Sequence, residues 1–207
     1  VDRDWKGGSQ TDGEGTLLEH LEANLKFCFN DVGEKGFPRI GHADWNDAID
    51  AAGIRHKGES VWLAQALVRS LKMLADLCQL MGEPKKKEDY LQMAKTMDER
   101  INAKAWDGNW YSRGFDDDGL VYGSKQDKEG KIFLNTQAWA LLAGVARDQR
   151  LKQVLDSVDK YLNGPHGLAL FYPAYSSWVK RLGRISMFSE GTKENAAVFC
   201  HAAYFLI

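Results

Sequence analysis

The residues best suited to chemistry lie in the segment 41–50, which reads GHADWNDAID. Asp44 and Asp47 are three positions apart and flank an indole and an amide, Trp45 and Asn46. A carboxyl group that protonates a glycosidic oxygen must keep its proton near neutral pH, and an aromatic wall and a neighbouring carboxylate both raise its pKa. The segment therefore indicates an acid for glycosidic cleavage. A capped turn explains the same residues, because Asp44 and Asn46 are also good N-cap residues.

A second polar cluster, 191–195 with the sequence GTKEN, comes shortly before His201. Its Gly-Thr start predicts a last helix from about Glu194, and the free backbone N–H groups of a helix start bind anions. Lys193 and His201 add a cation and a further donor. Each has a plainer interpretation as well, since Lys193 and Glu194 suit an exposed first turn and His201 suits a hydrogen-bonded core histidine.

Two further features are compatible with sugar binding. Glu59 follows a glycine and precedes a serine at a predicted helix start, so it suits a sugar ligand and an ordinary capping sequence equally well. Flat rings with a polar edge stack on sugar faces and hydrogen-bond the hydroxyl groups. Aromatic residues in polar, glycine-rich stretches fit this role or the anchoring of loops, and they are Trp45, Trp110, Tyr111, Tyr122, Tyr172 and Tyr175.

Hydrophobic periodicity predicts an all-α arrangement that must position these residues. Predicted helices cover 16–30, 60–81, 84–105, 136–146, 148–162 and a last stretch from about 194. Thr16 and Glu19 predict a capping box at the first helix. The alternating segment 109–123 predicts a small β-hairpin. The long loops 33–59 and 163–193 carry the polar clusters, and an antiparallel helical array brings such loops to one rim.

Helical spacing also predicts which side chains are buried. The predicted inner faces are Leu17, Leu18, Leu21, Leu25 and Cys28, then Val61, Leu63, Leu67, Leu71, Leu74 and Cys78, then Leu91, Ala94, Met97 and Ile101. The three cysteines, Cys28, Cys78 and Cys200, are far apart and lie in apolar patterns. They indicate buried thiols in a reducing compartment, and hence a cytoplasmic protein, rather than disulfides or a metal site.

The composition is typical of one globular domain that covers residues 1–207. The hydrophobic content is 44%, the charged content is 27% and the net charge is −2. This balance excludes the basic surface expected for binding to nucleic acid or to an anionic membrane. The apolar stretch 196–207 is too short to span a bilayer and is predicted to be a core helix, and no signal peptide is expected before Val1. A chain that starts without Met and stops inside an apolar helical pattern predicts an excised fragment.

Six segments together resemble the cellobiose, cellodextrin and chitobiose phosphorylases of glycoside hydrolase family 94. They run in family order: GEGTLLEHL from Gly13, GHADWNDAID from Gly41, KGESVWLA from Lys57, FDDDG from Phe115, IFLNTQAWALLAG from Ile132 and GTKENAAVFCHAA from Gly191. The resemblance covers nearly the whole chain. It implies about half of an (α/α)6 toroid, the C-terminal part of the catalytic domain. The family's N-terminal β-sandwich and its phosphate-binding arginine are expected outside this sequence.

The same resemblance implies roles for individual residues. The family's general acid is the second Asp of D-W-N-D, which is Asp47 here, and a phosphate-binding histidine matches His201. The implied substrate-binding residues are Trp45, Asp44, Lys193, Glu194 and Glu59. The family commonly reads K-E-N-G-G, whereas this chain has Ala196 and Ala197 in place of the glycines. The two added methyl groups leave less space for a ligand beside that part of the backbone.

The implied reaction is phosphorolysis of a β-linked glucoside such as cellobiose or a cellodextrin, with inversion, to α-glucose 1-phosphate and a shortened sugar. Phosphate is itself a nucleophile, so no catalytic base, metal or cofactor is implied, whereas an inverting hydrolase needs an acid and a base. The implied partners are the glucoside, phosphate as co-substrate, the rest of the same polypeptide and a second copy in a homodimer. The alternatives are an inverting hydrolase with Glu194 as base and a non-catalytic sugar-binding module. The fragment alone is expected to be inactive.

Overall fold

The computed structural model describes residues 15–206, so the chain ends and the first two residues of the GEGTLLEHL segment lie outside the described part. Helices joined by turns and long loops dominate it, which confirms the predicted helical class. The helices are α1 Leu17–Asn30, α2 Val61–Leu80, α3 Pro84–Lys104, α4 Leu134–Leu142, α5 Asp148–Tyr161 and α6 Cys200–Tyr204. The strands are β1 Glu59–Ser60, β2 Gly114–Phe115, β3 Val121–Tyr122, β4 Ile132–Phe133, β5 Asn163–Gly164, β6 Gly167–Leu168 and β7 Phe171–Tyr172.

The first three helices begin where their capping residues predict. In the capping box of α1, the backbone N of Glu19 donates to Oγ1 of Thr16 at 3.3 Å, and the backbone N of Thr16 donates to Oε2 of Glu19 at 2.7 Å. Ser60 caps α2, because its Oγ accepts from the backbone N of Leu63 at 2.9 Å. Pro84 opens α3, where its missing N–H costs no hydrogen bond.

The buried face of α2 agrees closely with the prediction, whereas the buried face of α1 is narrower than predicted. Five of the six predicted residues of α2 are buried and Leu63 is half-buried. On α1, Leu17 and Leu21 are exposed and Glu22 is buried, so the prediction is wrong for both leucines. The reason is that α1 meets the other described elements along a single edge, which contains Leu18 and Leu25.

Two other burial predictions are wrong. Leu91 on α3 is exposed, because the neighbouring Tyr90 occupies the buried position of that turn. Cys200 is exposed, whereas Cys78 is buried and Cys28 is half-buried. Cys200 and the buried Ala202 are two residues apart on α6 and therefore lie on nearly opposite sides of the helix.

The last helix begins at Cys200 and not near Glu194 as predicted. The intervening backbone is not helical: Ala196 has a φ of 63°, and the carbonyl O of Ala197 accepts from the backbone N of Leu170 at 2.9 Å. The anion site predicted at a helix start near Glu194 is therefore not formed. The stretch 196–207, predicted to be a core helix, holds only the five-residue α6 in its described part, 196–206. Among residues 15–206, no helix is long and apolar enough to cross a membrane.

Small antiparallel sheets connect the helices to the loops. β1, β2 and β3 form one sheet, in which Gly114 pairs with Ser60 on one side and with Tyr122 on the other. β2 and β3 are the predicted hairpin. β4 pairs with β7, so that Ile132 lies opposite Tyr172, and β5 pairs with β6. The first sheet places Arg113, which precedes Gly114, next to the start of α2.

The buried side chains form two hydrophobic clusters. The first lies among α1, α2, α3 and the end of α4. The second is formed by the loop around Ile49, β4, β7 and the inner side of α5, with Val158 and Leu170 among its members. The polar segment 41–50 lies against this second cluster, which gives it a rigid support.

Candidate active site

The segment 41–50 is an irregular loop whose middle is anchored. Asn46, Ala48 and Ile49 are buried, and the last two belong to the second hydrophobic cluster. The side chain of Asp47, between Asn46 and Ala48, is exposed. The predicted acid therefore extends from a loop that is buried on both sides of it.

A buried arginine, Arg113, lies beneath this loop. It is 0% exposed, and its Nη2 lies 2.5 Å from Oδ1 of Asp44. The other oxygen of Asp44 accepts from Oγ of Ser60 at 2.6 Å. Burial disfavours the charged form of Arg113, but the charge and hydrogen bond of Asp44, together with the charges of neighbouring groups such as Glu194, outweigh burial and raise the pKa of the guanidinium. Asp44 is thus the counter-ion of Arg113, with its side chain 1% exposed, and its contact with substrate stays a prediction.

Asn46 connects Arg113 to Glu194. Its Oδ1 accepts from Nη2 of Arg113 at 2.9 Å, and its Nδ2 donates to Oε2 of Glu194 at 2.9 Å. The other carboxylate oxygen of Glu194 accepts from the backbone N of Ala48 at 3.1 Å. Because Asn46 and Ala48 flank Asp47, one carboxylate holds both neighbours of the predicted acid.

Arg184 holds the same loop from the solvent side. Its Nη2 donates to the carbonyl O of Asp47 at 3.1 Å. Its backbone N donates to Oδ1 of Asp50 at 2.9 Å, and its Nε forms an ion pair with the other oxygen of Asp50. Burial opposes ionisation of Asp50, but the hydrogen bonds and charge of Arg184 outweigh it and lower the pKa of that carboxyl. The backbone of Asp47 is therefore fixed while its carboxyl stays free.

Glu194 is a half-buried carboxylate beside an exposed one. Its burial raises its pKa above the ordinary 4.5, and the negative charge of Asp47 raises it further. The hydrogen bonds from Asn46 and Ala48 act in the opposite direction and do not cancel the effect. Glu194 and Asp47 are thus close enough to interact electrostatically, as two groups of one site do.

A cluster of aromatic rings surrounds Trp45, which precedes Asp47 by two residues. The ring centroid of Trp45 lies 5.3 Å from those of Phe199 and His201 and 6.1 Å from that of Phe205. His201 and Phe205 are 4.8 Å apart. His201 is exposed, so it is not a core histidine. The structure therefore brings the predicted phosphate-binding residue and the predicted sugar platform together.

The loop that carries Glu194 is fixed by its last polar residue, Asn195. Its Nδ2 donates to the carbonyl O of Phe188 at 2.7 Å and to that of Tyr175 at 2.9 Å. Lys193 is exposed, and its Nζ lies 4.9 Å from the ring centroid of Phe188. The ammonium is exposed, and its contact with a substrate stays a prediction.

Glu59 lies apart from this group. Its Oε1 accepts from the backbone N of Phe37 at 2.9 Å, and its Oε2 accepts from the backbone N of Lys35 at 3.1 Å. An added Cβ at Gly33 would lie only 2.5 Å from its side chain, so the loop is closed tightly around the carboxylate. Glu59 and Ser60 are consecutive in β1 and face opposite sides, which turns Glu59 away from Asp44. Its two carboxylate oxygens hold a loop, and its role as a sugar ligand stays a prediction.

The structure thus assembles most of the predicted site. Asp44, Trp45, Asp47, Glu194 and His201 are linked by direct contacts or by one intermediate residue, and Lys193 adjoins Glu194. Within residues 15–206, no group of three His, Cys, Asp or Glu side chains is arranged to hold a metal ion. The arrangement offers an exposed carboxyl, an aromatic platform and cationic groups, which suit protonation of a bound sugar beside an anion.

Three residues of the site were not predicted from the sequence. Arg113 stands in a hairpin strand region between aromatic residues, where a charged side chain is unusual and could have been marked as a buried ion-pair partner. Arg184 carries no comparable signal, since it lies in a long irregular stretch. Asn46 stands in the D-W-N-D motif, but its type and position indicate a capping residue and not a link between Arg113 and Glu194.

The family model described as "Glycosyl hydrolase 94 superfamily, catalytic domain" matches residues 8–207. The chain belongs to this family. Membership in the glycosyl hydrolase 94 superfamily confirms the resemblance drawn from the six segments and agrees with a helical array that forms part of a toroid.

Three curated relatives of this superfamily member are named as phosphorylases. The 3-O-β-D-glucopyranosyl-β-D-glucuronide phosphorylase of Paenibacillus borealis is 39% identical and aligns with 97% of this chain and 26% of its own length. Solabiose phosphorylase of the same species is 34% identical over 95% of this chain and 26% of its own length. Cellobionic acid phosphorylase of Neurospora crassa is 34% identical over 93% of this chain and 24% of its own length. The chain therefore spans about a quarter of the length of these relatives.

Among solved structures, a GH78 family rhamnosidase of Bacillus sp. GL1 is similar to the chain in fold. The match has a TM-score of 0.56 and 20% sequence identity, and it covers 74% of this chain and 15% of the rhamnosidase. At this identity the likeness concerns the fold alone.

Proposed function

We propose that this chain is the part of an inverting β-glycoside phosphorylase that carries the general acid, Asp47. The observation that carries the proposal is the combination of a fixed backbone and a free carboxyl at this residue. Glu194 holds both of its neighbours, Arg184 holds its carbonyl group, and its side chain is exposed. A general acid needs such placement, because it must reach the leaving oxygen and keep its geometry during proton transfer.

In the proposed reaction, Asp47 donates its proton to the glycosidic oxygen as the bond from that oxygen to the anomeric carbon breaks. An oxygen of phosphate attacks the anomeric carbon from the opposite face and forms the new bond, which inverts the configuration. A β-glucoside such as cellobiose or a cellodextrin then gives α-glucose 1-phosphate and a shortened sugar. His201, exposed beside Trp45, donates to the phosphate. Trp45 stacks on the sugar, and Lys193 and Glu194 bind its hydroxyl groups.

An inverting hydrolase on the same site is less well supported. It needs a second carboxylate that takes a proton from water, and Glu194 is the candidate. Both of its oxygens already accept hydrogen bonds, from Asn46 and Ala48. A carboxylate held in this way fits a positioning and sugar-binding role better than that of a catalytic base.

The acceptor sugar can also be an acid, which we propose as a second candidate substrate class. Two of the relatives are named for acidic sugars, a glucuronide and cellobionic acid. In this chain, the side chain of Arg184 is 57% exposed and its guanidinium contacts the carbonyl group of Asp47, and Lys193, which precedes Glu194, is exposed. Two cations at the rim suit a carboxylate on the departing sugar.

The test is phosphate release from α-glucose 1-phosphate by the full-length protein with a panel of acceptors. The panel holds glucose, cellobiose, N-acetylglucosamine, glucuronic acid and gluconic acid. Release that depends on glucose or cellobiose supports the neutral substrates, and release that depends on glucuronic or gluconic acid supports the second class. A folded protein that releases no phosphate with any acceptor contradicts the proposal.

A further inference from the structure

Arg113 is the most deeply buried charged group next to the proposed catalytic loop. Its side chain is 0% exposed, and its guanidinium contacts Asp44, Asn46 and Ser60. Ser60 begins α2, and the backbone of Arg113 continues into β2, so the guanidinium lies where a helix, a sheet and the loop 41–50 meet.

Stability alone does not explain a charge at this place. Taking two charges out of water has a large unfavourable cost, and a buried ion pair seldom stabilises a protein more than apolar side chains of the same volume. What Arg113 provides, and an apolar side chain does not, is a rigid set of donors in a fixed direction.

Those donors determine how the Asn46 amide is oriented. Nη2 and Nε of Arg113 lie 2.9 and 3.3 Å from Oδ1 of Asn46. With the amide turned over, its NH2 group would face the guanidinium donors and its oxygen would face the carboxylate of Glu194. Both contacts would be repulsive, so Arg113 selects the orientation in which Nδ2 donates to Glu194.

We propose that Arg113 is a positioning residue, whose buried guanidinium orients Asn46 so that Asn46 and Glu194 hold Asp47 against the bound glycoside. The role of Arg113 rests on the proposed function, because it acts through the proposed general acid. Arg113 itself touches no substrate. Its loss therefore affects the rate of the bond-breaking step more than the binding of sugar or phosphate.

The test uses two variants of the full-length protein and their combination. Arg113→Lys keeps a cation beside Asp44, but one ammonium cannot reproduce the forked contacts to Asn46. Asn46→Ala removes the connection and leaves the ion pair between Arg113 and Asp44 in place. Arg147→Lys is the matched control, because Nη2 of Arg147 lies 2.6 Å from Asp98 in an ion pair away from the loop.

We expect kcat to fall on the order of 100-fold in Arg113→Lys and in Asn46→Ala, with the KM for phosphate changed less than about threefold. The kcat of the combined variant is expected to lie within about twofold of the lower of the two single-variant values, because both changes break the same connection. Arg147→Lys is expected to keep the kcat of the wild type. The proposal would be overturned if the fold-reduction of kcat in the combined variant equalled the product of the two single reductions. An unchanged kcat in a stably folded Arg113→Lys would overturn it as well. If Arg113→Lys does not fold, Asn46→Ala carries the test, and an unchanged kcat in that variant overturns the proposal equally.

A crystal structure of Arg113→Lys separates this proposal from the proposed function. The positioning role predicts that Nδ2 of Asn46 moves beyond hydrogen-bond distance of Glu194, whichever sugar the wild type uses. An intact contact between Asn46 and Glu194 overturns the role of Arg113 even if the wild type is a phosphorylase. A wild type without any phosphorolysis, together with a broken contact in the variant, overturns the proposed function and leaves the coupling of the two residues supported.

Discussion

Asn46 and Glu194 are 148 positions apart in the sequence and are joined by a hydrogen bond of 2.9 Å from Nδ2 to Oε2. The other oxygen of Glu194 accepts from the backbone N of Ala48 at 3.1 Å. Two motifs that the sequence carries separately, D-W-N-D and K-E-N, therefore form one unit around Asp47. The unit fixes the backbone of Asp47 and leaves its carboxyl exposed to a substrate.

His201→Ala is expected to weaken phosphate binding. Loss of one hydrogen bond to a charged group corresponds to about 1.5–3 kcal/mol, which raises the apparent KM for phosphate about 10-fold to 100-fold. The KM for the sugar is expected to change less than about twofold. Initial rates over a matrix of phosphate and sugar concentrations measure both.

The matched control is His166→Ala, which removes another exposed histidine from the turn between β5 and β6. It is expected to leave both KM values unchanged. An equal rise of the two KM values in His201→Ala would contradict the assignment of this residue to phosphate.

Glu59→Gln distinguishes a loop-holding carboxylate from a sugar ligand. Because Glu59 accepts from the backbone N atoms of Lys35 and Phe37, the variant is expected to lose about 2 kcal/mol of stability and to keep the KM for sugar. Thermal unfolding and steady-state kinetics of the full-length protein measure the two effects. The matched control is Glu34→Gln, because Glu34 is an exposed carboxylate next to Lys35 in the loop that Glu59 holds. It is expected to change stability by less than about 0.5 kcal/mol. A higher sugar KM at an unchanged melting temperature would show that Glu59 binds sugar.

Asp117 makes the stability depend on pH. Burial opposes ionisation of Asp117, but hydrogen bonds from the backbone N atoms of Arg55, Lys57 and Gly58 outweigh it and lower its pKa below the ordinary 3.8. A lowered folded-state pKa stabilises the protein above pH 3.8, and this stabilisation is lost as the pH falls through the lowered value. Asp117→Asn is therefore expected to lower stability by about 2–3 kcal/mol at pH 7, with the difference from the wild type shrinking in acid.

Melting temperatures of wild type and Asp117→Asn between about pH 7 and pH 2.5 test this dependence. Asp118→Asn is the matched control, since Asp118 is 65% exposed and forms a surface ion pair with Arg55. Its expected effect is less than about 1 kcal/mol. A difference between Asp117→Asn and wild type that stays constant across this range would contradict the account.

Ala196→Gly is expected to raise the melting temperature. Ala196 has a φ of 63°, a left-handed conformation that costs an L-residue about 1 kcal/mol and costs glycine little. Ala197 has no positive φ, so Ala197→Gly only adds freedom to the unfolded chain and is expected to lower the melting temperature. Equal shifts in the two variants would show that the conformation of Ala196 is not strained.

Local signals in the sequence were sufficient for most helices. Thr16 with Glu19, Ser60 and Pro84 mark helix starts through contacts within one turn, so their effect does not depend on the rest of the fold. The start of the last helix could not be predicted in this way. Contacts from Asn46 and Leu170, which are distant in sequence, hold residues 194–197 in a non-helical backbone.

The residues of the site also divide into those with a local sequence signal and those whose position depends on distant contacts. Asp47, Trp45 and His201 stand in recognisable motifs, whereas the buried ion pair of Arg113 and Asp44 depends on a sheet that brings residue 113 under the loop. No spacing rule connects positions that far apart. From the sequence alone, Asp44 is therefore predicted to be a substrate ligand, because only the structure shows its ion pair with the buried Arg113.

The most direct test of the central claim is the identity of the product that the full-length protein forms from a β-glucoside with and without phosphate. Proton NMR during turnover distinguishes α-glucose 1-phosphate from free glucose and reports the anomer. The account predicts α-glucose 1-phosphate only when phosphate is present, no free glucose without it, and a rate at least about 100-fold lower in Asp47→Asn with sugar binding retained. Free glucose formed at a similar rate without phosphate, or full activity in Asp47→Asn, would contradict it.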